Sequence, residues 1–248
     1  MIRGLYTSAG GMLADMTRLD EVANNLANVN TPGFKNTQVN LRQFPALLVG
    51  RLGRGGFTTL GPLGTGVTVS HSWTDFAQGS LRHTGHSLDL AVEGNGFFAV
   101  QTSAGTEYTR RGDFTLDAQG HLVTQSGNFV LGTNGQPLTL PAGRPQISGS
   151  GTVNVGGNTV GQIQLVSFAS QSGLTRAADG NFVATAASGP PAAATGRIRQ
   201  GFLEESNTAL VSTTSQMLEA FRAYESNQQA LMTQKTTLDA AVNQVGKV

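Results

Sequence analysis

Both ends of the chain carry apolar repeats with the seven-residue spacing of helices that pack along their length, and this feature constrains the fold most. The C-terminal repeat and its i+4 partners consist of Leu210, Met217, Tyr224, Leu231, Leu238 and Val245 with Phe221 and Val242. No Gly or Pro interrupts the stretch before Gly246, and Ser206 or Asn207 suits an N-cap. The pattern predicts one helix over 208–245, about 57 Å long at ~1.5 Å per residue.

The N-terminal repeat is shorter and has a clear end. Its members are Leu5, Ala9, Met12, Met16, Leu19, Ala23 and Leu26. Pro32 lacks a backbone N–H and disfavours a helical conformation at Thr31, so we place this helix at about 3–29. Such stripes usually face a core, but repeats at both chain ends indicate helices that pair with each other, with neighbouring copies, or both.

In a free subunit, we expect both helices to be largely disordered, because unpartnered seams bury too little surface to offset ~1–2 kcal/mol of backbone entropy per residue. An intramolecular hairpin of the two helices is the alternative.

Three asparagines, Asn24, Asn25 and Asn28, lie in one turn of the predicted N-terminal helix, although Asn is a poor helix former. They form either a solvated polar face or a set of amides that hydrogen-bond to adjacent subunits. On the second interpretation, they join the repeats in a predicted assembly interface. Its members are Leu5, Met12, Leu19, Asn24, Asn25, Leu26, Asn28, Leu210, Met217, Phe221, Tyr224, Leu231, Leu238 and Val245.

The middle of the chain, 67–202, is typical of β structure. Short strand-like runs occur at Phe97–Val100, Phe114–Leu116, His121–Thr124, Phe129–Leu131 and Ile163–Phe168. Turn residues separate them at 117–120, 134–135 and 156–158. We therefore predict an α+β protein: long terminal helices form a coiled-coil-like domain, and a central, mainly antiparallel all-β domain lies between them.

The predicted domains are a terminal helical domain of 1–34 with 203–248, a variable extension at 35–66, and the β domain at 67–202. Within the extension, 41–52 is compatible with a short apolar helix broken at Pro45, and 50–66 with a glycine-rich loop.

The composition argues against several function classes. With 16 Lys and Arg against 15 Asp and Glu, no basic field is available for a nucleic acid. The absence of Cys excludes disulfides and thiolate sites. The chain start lacks a secretory signal peptide, and no apolar run suits a bilayer span, so we expect no direct membrane insertion.

Catalytic and cofactor motifs were not found either. His71, His83 and His86 lie near Asp75 and Asp89, but without a closed ligand signature, so we interpret them as surface histidines rather than a metal site. No nucleophile elbow, phosphate loop or acid–base pair is evident. We predict no enzyme activity and no cofactor.

The segment Ala23-Asn-Asn-Leu-Ala-Asn-Val-Asn-Thr-Pro-Gly-Phe-Lys35 strongly resembles the N-terminal motif of bacterial flagellar rod and hook proteins. Further resemblances follow in order at Leu88–Phe98, Tyr108–Phe114, Gly201–Asn207 and Phe221–Asn227. The length resembles that of rod subunits of the FlgF or FlgG type, because hook proteins generally carry an additional outer domain.

The resemblance implies a structural subunit of the basal-body rod, in which the terminal helices line a tube and the β domain lies outside. It implies as partners copies of the chain, other rod and hook subunits, and the flagellar type III export apparatus. The alternatives are a non-flagellar binding or adhesion module with a helical dimerisation stalk, and a polysaccharide enzyme. The second lacks support, since Trp73 is the only Trp.

Overall fold

The computed structural model describes residues 2–53 and 56–245 and contains two long helices with β structure between them. Helix α1 spans Ile2–Ala27, and helix α2 spans Leu210–Val245. The α+β class and both terminal helices are confirmed, with ends within two residues of those predicted.

Helix α1 ends where the sequence predicted a break. The Thr31 N–H donates to the Asn28 carbonyl at 3.1 Å, which closes a turn directly after the helix. Gly33 follows with φ at +67°, and a Cβ there would lie 2.4 Å from the carbonyl carbon of Arg110. A side chain at this position would therefore be strained by both conformation and space.

The chain divides into two compact units. The helical unit comprises Met1–Ala27, Thr37–Trp73 and Leu210–Val248, and the β unit comprises Asn28–Asn36 and Thr74–Ala209.

Four strands follow α1: β1 (Thr37–Gln43), β2 (Leu47–Gly53), β3 (Gly56–Leu63) and β4 (Val67–Thr74). Strand β1 pairs with β4, and β2 pairs antiparallel with β3. The possible helix over 41–52 is wrong, and strand structure replaces much of the expected loop over 50–66. In β1, Thr37, Val39 and Leu41 are half-buried and alternate with exposed residues, which is a strand period. Residues 54 and 55 of the predicted loop lie outside the described residues.

The β unit contains sixteen further strands within its described residues. They are β5 (Leu81–His83), β6 (Leu90–Glu93), β7 (Phe97–Thr102), β8 (Gly105–Thr109), β9 (Thr115–Leu116), β10 (Leu122–Val123), β11 (Phe129–Val130), β12 (Pro145–Ile147), β13 (Thr152–Val155), β14 (Asn158–Gln162), β15 (Leu165–Ser167), β16 (Leu174–Arg176), β17 (Phe182–Ala184), β18 (Ala192–Ala193), β19 (Arg197–Gln200) and β20 (Phe202–Glu204).

The largest sheet has the order β16-β17-β8-β7-β11-β10-β9, and β15 joins it at β7. Smaller sheets pair β12-β13-β14, β19-β6 and β20-β5. These pairings are antiparallel, as predicted. The predicted turn at 156–158 joins β13 to β14, with positive φ at both Gly156 and Gly157.

Strand β7 lies at the centre of the β unit and is buried on both faces. Phe98 and Val100 point into one apolar cluster with Leu90 and Leu122, while Phe97 points into a second cluster on the opposite side. Its four consecutive buried residues explain the nearly continuous apolar run in the sequence.

Candidate assembly site

The two terminal helices pack against each other in antiparallel order. The Asn227 Nδ2 donates to the Asp15 Oδ2 at 2.9 Å, and Arg18 lies 3.8 Å from the Glu219 carboxylate. Thus the N-terminal half of α1 lies beside the C-terminal half of α2. The structure contains the intramolecular hairpin, which the sequence analysis gave as the alternative to helices that are disordered in the free subunit.

The face that the helices share is built largely from small and polar residues. On α1 the buried residues include Ser8, Ala14, Asp15 and Val22, and on α2 they include Thr213 and Ala220. Gly4 and Gly11 of α1 approach Gln234 and Asn227 of α2 closely as well. On α2, the positions of Ala220, Asn227 and Gln234 alternate with the half-buried members of the predicted repeat, so both heptad positions take part in the helix contact.

Most of the predicted apolar residues are half-buried in the helix pair, and two are exposed. Half-buried members are Leu5, Met12, Leu19, Leu26, Met217, Tyr224, Leu231 and Leu238. Leu210 and Phe221 are exposed, at 55% and 49% of their surface. The side chain of Val245 lies outside the described residues. Their use between subunits stays a prediction.

Each helix also carries a row of exposed apolar side chains, and of these Tyr6, Leu13, Val211, Leu218 and Met232 were missed from the sequence. On α1 the row consists of Tyr6, Leu13 and Met16, and on α2 it consists of Val211, Leu218, Met232 and Val242 beside Leu210 and Phe221. Val211, Leu218 and Met232 recur at multiples of seven, and so do Phe221 and Val242. This spacing was the signal available in the sequence, but the stronger repeat at Leu210 obscured it.

The three asparagines at the end of α1 have different environments. Asn24 is exposed, and Asn28 is half-buried with its Oδ1 accepting from the Thr31 hydroxyl at 3.1 Å. Asn25 is buried, and its amide both donates to the Thr37 carbonyl at 2.6 Å and accepts from the Thr37 N–H at 2.9 Å. Because both ends of this amide bind its own chain, the structure gives Asn25 a role within the subunit, and its contact to a neighbour stays a prediction.

A cluster of three buried charges lies inside the β unit. The Lys35 Nζ donates to the Glu204 Oε1 at 2.5 Å and to the Ala77 carbonyl at 2.7 Å. The Arg110 Nη1 donates to the Glu204 Oε2 at 3.3 Å. The side chains of Lys35 and Glu204 are fully buried, and that of Arg110 is 2% exposed. One carboxylate thus pairs with two cations away from water.

Burial controls the ionisation of this cluster. Desolvation lowers the pKa of the Lys35 ammonium below 10.5, and the nearby Glu204 carboxylate opposes this shift. Desolvation also lowers the pKa of Arg110. At both cations the nearby Glu204 carboxylate thus opposes the lowering of the pKa by burial.

Asn207 links three segments of the β unit through hydrogen bonds close to this charge cluster. Its Oδ1 accepts from the Asn36 N–H at 2.7 Å, and its Nδ2 donates to the Asp75 carbonyl at 2.7 Å. The Asp75 N–H in turn donates to the Asn36 carbonyl at 2.9 Å. Sequence reasoning used the motifs that contain Lys35 and Asn207 but did not predict that these motifs meet.

The described residues contain no group of three or more His, Asp or Glu side chains that could hold a metal ion. His71, His83 and His86 are exposed. Neither helix, over its described residues, is apolar enough along its length to cross a membrane.

Three family models match the chain. The model of the flagella basal body rod protein family matches residues 5–35, and that of the flagellar hook protein FlgE/F/G D1 domain matches 91–160. The model of the flagellar basal body rod FlgEFG protein C-terminal region matches 199–244. The matched ranges thus contain most of both helices and the three charged residues of the buried cluster, Lys35, Arg110 and Glu204.

Curated relatives align over almost the whole chain. The chain is 35% identical to the flagellar basal-body rod protein FlgG of Bacillus subtilis, over 98% of this chain and 99% of the relative. It is 36% identical to FlgG of Borreliella burgdorferi, with 98% of each chain covered. It is 34% identical to the rod protein FlgF of Caulobacter vibrioides over the full length of both.

Proposed function

The chain belongs to the family of flagellar basal-body rod proteins and is a structural subunit of the basal body; from this premise we propose that it polymerises into the rod through the exposed apolar faces of α1 and α2. As a rod subunit it assembles with other basal-body components. This assignment replaces the alternative of an adhesion module with a dimerisation stalk.

The observation that carries the proposal is the amount of apolar surface on the two helices. Leu13, Tyr6 and Val211 expose 67%, 76% and 80% of their surfaces. Fully burying one such side chain contributes about 1.5–3 kcal/mol. Contiguous apolar surface of this kind marks a contact with another molecule.

The rows suit contacts between different surfaces of successive copies. A helical polymer needs a surface on one copy that fits a different surface on the next, because contacts that close on themselves stop growth. The α1 row is rich in Tyr, Leu and Met, whereas the α2 row includes the exposed charges Glu225 and Asp239 at the same heptad position as Leu218 and Met232. We propose that α1 of one copy packs on α2 of another, with these charges restricting the register.

The terminal domain, the export route and the domain division that the family resemblance implies are also part of this proposal. We propose that the helix pair is a coiled-coil-like terminal domain, and that the flagellar export apparatus carries the subunit out of the cytoplasm. The division into a helical terminal domain, an extension at 35–66 and a central β domain is also a proposal. Limited proteolysis of the purified subunit tests it, because cleavage should fall at the predicted boundaries.

The assembly proposal is tested with Phe221→Asp in a cell that carries only this copy of the gene. The matched control is Gln229→Asp, which adds the same charge at an exposed residue of α2 outside the apolar rows. Phe221 is preferable to Leu231, because Leu231 is half-buried and its substitution also perturbs the helix pair.

We expect Phe221→Asp to be exported but absent from isolated basal bodies, and Gln229→Asp to assemble as the unmodified protein does. Amounts in basal bodies and in the cell envelope are measured by immunoblotting. Normal incorporation of Phe221→Asp would show that this face is not buried in the rod.

A further inference from the structure

We propose that the polar centre of the α1–α2 face fixes the register of the two helices, with Asn227 and Gln234 seated in notches formed by Gly11 and Gly4. A Cβ on Gly11 would lie 2.9 Å from the Asn227 Nδ2, and a Cβ on Gly4 would lie 2.6 Å from the Gln234 Oε1. Each glycine therefore leaves space where a side chain would otherwise lie, and a polar side chain of α2 fills that space.

The two notches have the same spacing on both helices. Gly4 and Gly11 are seven residues apart, and so are Asn227 and Gln234. In antiparallel helices, a slip by one heptad would move one of these side chains into the other's notch. Spacing alone would permit that slip, so another contact must distinguish the two registers.

Asp15 supplies that distinction. It is buried, and its carboxylate accepts a hydrogen bond from Asn227 at 2.9 Å. A slip that moves Asn227 onto Gly4 would place Asp15 opposite Ala220, where no side-chain donor exists. A buried carboxylate without a donor is strongly disfavoured, so this slip is excluded.

The opposite slip is disfavoured by Arg18. It would place Asn227 opposite Arg18, which has a long side chain in place of a glycine notch and would lose its contact to Glu219. Gln234 would then face Gly11, and Ala241 would face Gly4. A single polar residue at such a face is a known means of fixing helix register at some cost in stability.

The cost is visible in the structure. Within the described residues, the buried Oε1 of Gln234 has no hydrogen-bond partner. An apolar seam would bury the same positions without this loss, but it would tolerate heptad slips. The register determines how the exposed row of α1 lies beside that of α2. Any effect of this arrangement on contacts in the rod rests on the proposed function, whereas the register itself does not.

The absence of Cys from the chain permits a direct test by disulfide trapping in the purified subunit. Arg18→Cys combined with Glu219→Cys reports the observed register, in which Arg18 lies opposite Glu219 and its Nη2 is 3.8 Å from the Glu219 Oε2. Arg18→Cys combined with Ser226→Cys or Ser212→Cys reports a slip by one heptad in either direction. Each pair is built in the unmodified chain and in the variant Asp15→Leu with Asn227→Leu.

In the unmodified chain we expect the 18–219 disulfide to form at least tenfold faster than the two slipped pairs. In the double leucine variant this preference should fall to less than threefold, with helix content by circular dichroism unchanged. The exchanged pair, Asp15→Asn with Asn227→Asp, should restore the preference because it keeps one donor and one acceptor. Asp20→Leu, an exposed control on α1, should leave it intact.

Retention of the tenfold preference in the double leucine variant would overturn the proposal, and so would failure of the exchanged pair to restore it. If the double leucine variant loses its helices, Asn227→Leu alone takes its place, and retention of the tenfold preference in that variant would equally overturn the proposal. None of these readouts requires polymerisation, so a failed assembly proposal leaves this result unaffected, and the reverse also holds.

Discussion

Replacing Glu204 with Gln should remove a large part of the stability of the β unit. The Glu204 carboxylate accepts from Lys35, from Arg110 and from the Gly79 N–H at 2.9 Å. A glutamine keeps one acceptor oxygen, but it replaces the other with an amide that donates toward a cation. Two buried cations would then lack a counter-charge.

The expected magnitude follows from the burial of all three side chains. Removing one partner of a buried ion pair costs about 3–5 kcal/mol, because the remaining charge is neither solvated nor paired. The neighbouring Glu205 provides a matched control, since it pairs with Arg82 at 3.2 Å while both side chains are about half exposed. Glu205→Gln should change the free energy of unfolding by less than about 1 kcal/mol.

Amide hydrogen exchange at Phe98 and Val100 measures this free energy, because both lie in the central strand β7 of the β unit. Trp73 fluorescence is unsuitable, since Trp73 belongs to the helical unit. Lys35→Met in the Glu204→Gln background should cost less than the sum of the single changes, because it removes an unpaired ammonium. A loss for Glu204→Gln no greater than that for Glu205→Gln would refute the assigned role of the cluster.

Two further predictions follow from this region. The pKa of Lys35 is lower in the folded than in the unfolded chain, so the unfolded chain binds more protons between these two pKa values. The free energy of unfolding should therefore rise with pH between the folded-state pKa of Lys35 and 10.5, and Lys35→Met should lack this rise. Urea unfolding, monitored by amide exchange in β7 below the pH at which Tyr108 ionises, measures the change. Gly33→Ala should destabilise the β unit by more than Gly135→Ala does, because both glycines have positive φ but only a Cβ at Gly33 meets backbone atoms within 3 Å. The Gly135 variant should lose about 1 kcal/mol by thermal unfolding, and an equal loss at both positions would contradict the packing argument.

The sequence was sufficient for the elements whose pattern repeats over many residues. Both helices were predictable because seven-residue spacing extends through them and Pro32 marks the end of one. Strand β7 was predictable from its consecutive apolar residues. The segment 41–52 was not, because a short apolar run fits either a helix or a strand, and the pairing of β2 with β3 decides between them.

The candidate site was less predictable, because periodicity shows which residues share a helix face but not which face meets which partner. The sequence predicted the apolar repeat containing Leu231, but not that Asn227 and Ala220, at the other heptad position of the helix contact, would complete the stripe of α2 that faces α1. Small and polar residues give no amphipathic signal. Their arrangement appears only when the two helices, about 200 residues apart in sequence, are seen together.

The motifs that carry the family resemblance contain the residues whose partners are most restricted. Lys35, Glu204 and Asn207 are each satisfied by groups from distant segments, and Asn25 is satisfied by one backbone position. An apolar side chain accepts many neighbours, whereas a buried polar group needs a particular atom at a particular distance. The polar residues of the motifs therefore stabilise the subunit itself, whereas the exposed apolar rows are free for the proposed contacts with other subunits. It follows that substitutions in the motifs should reduce the amount of folded subunit, while substitutions in the rows should reduce assembly at constant subunit amount.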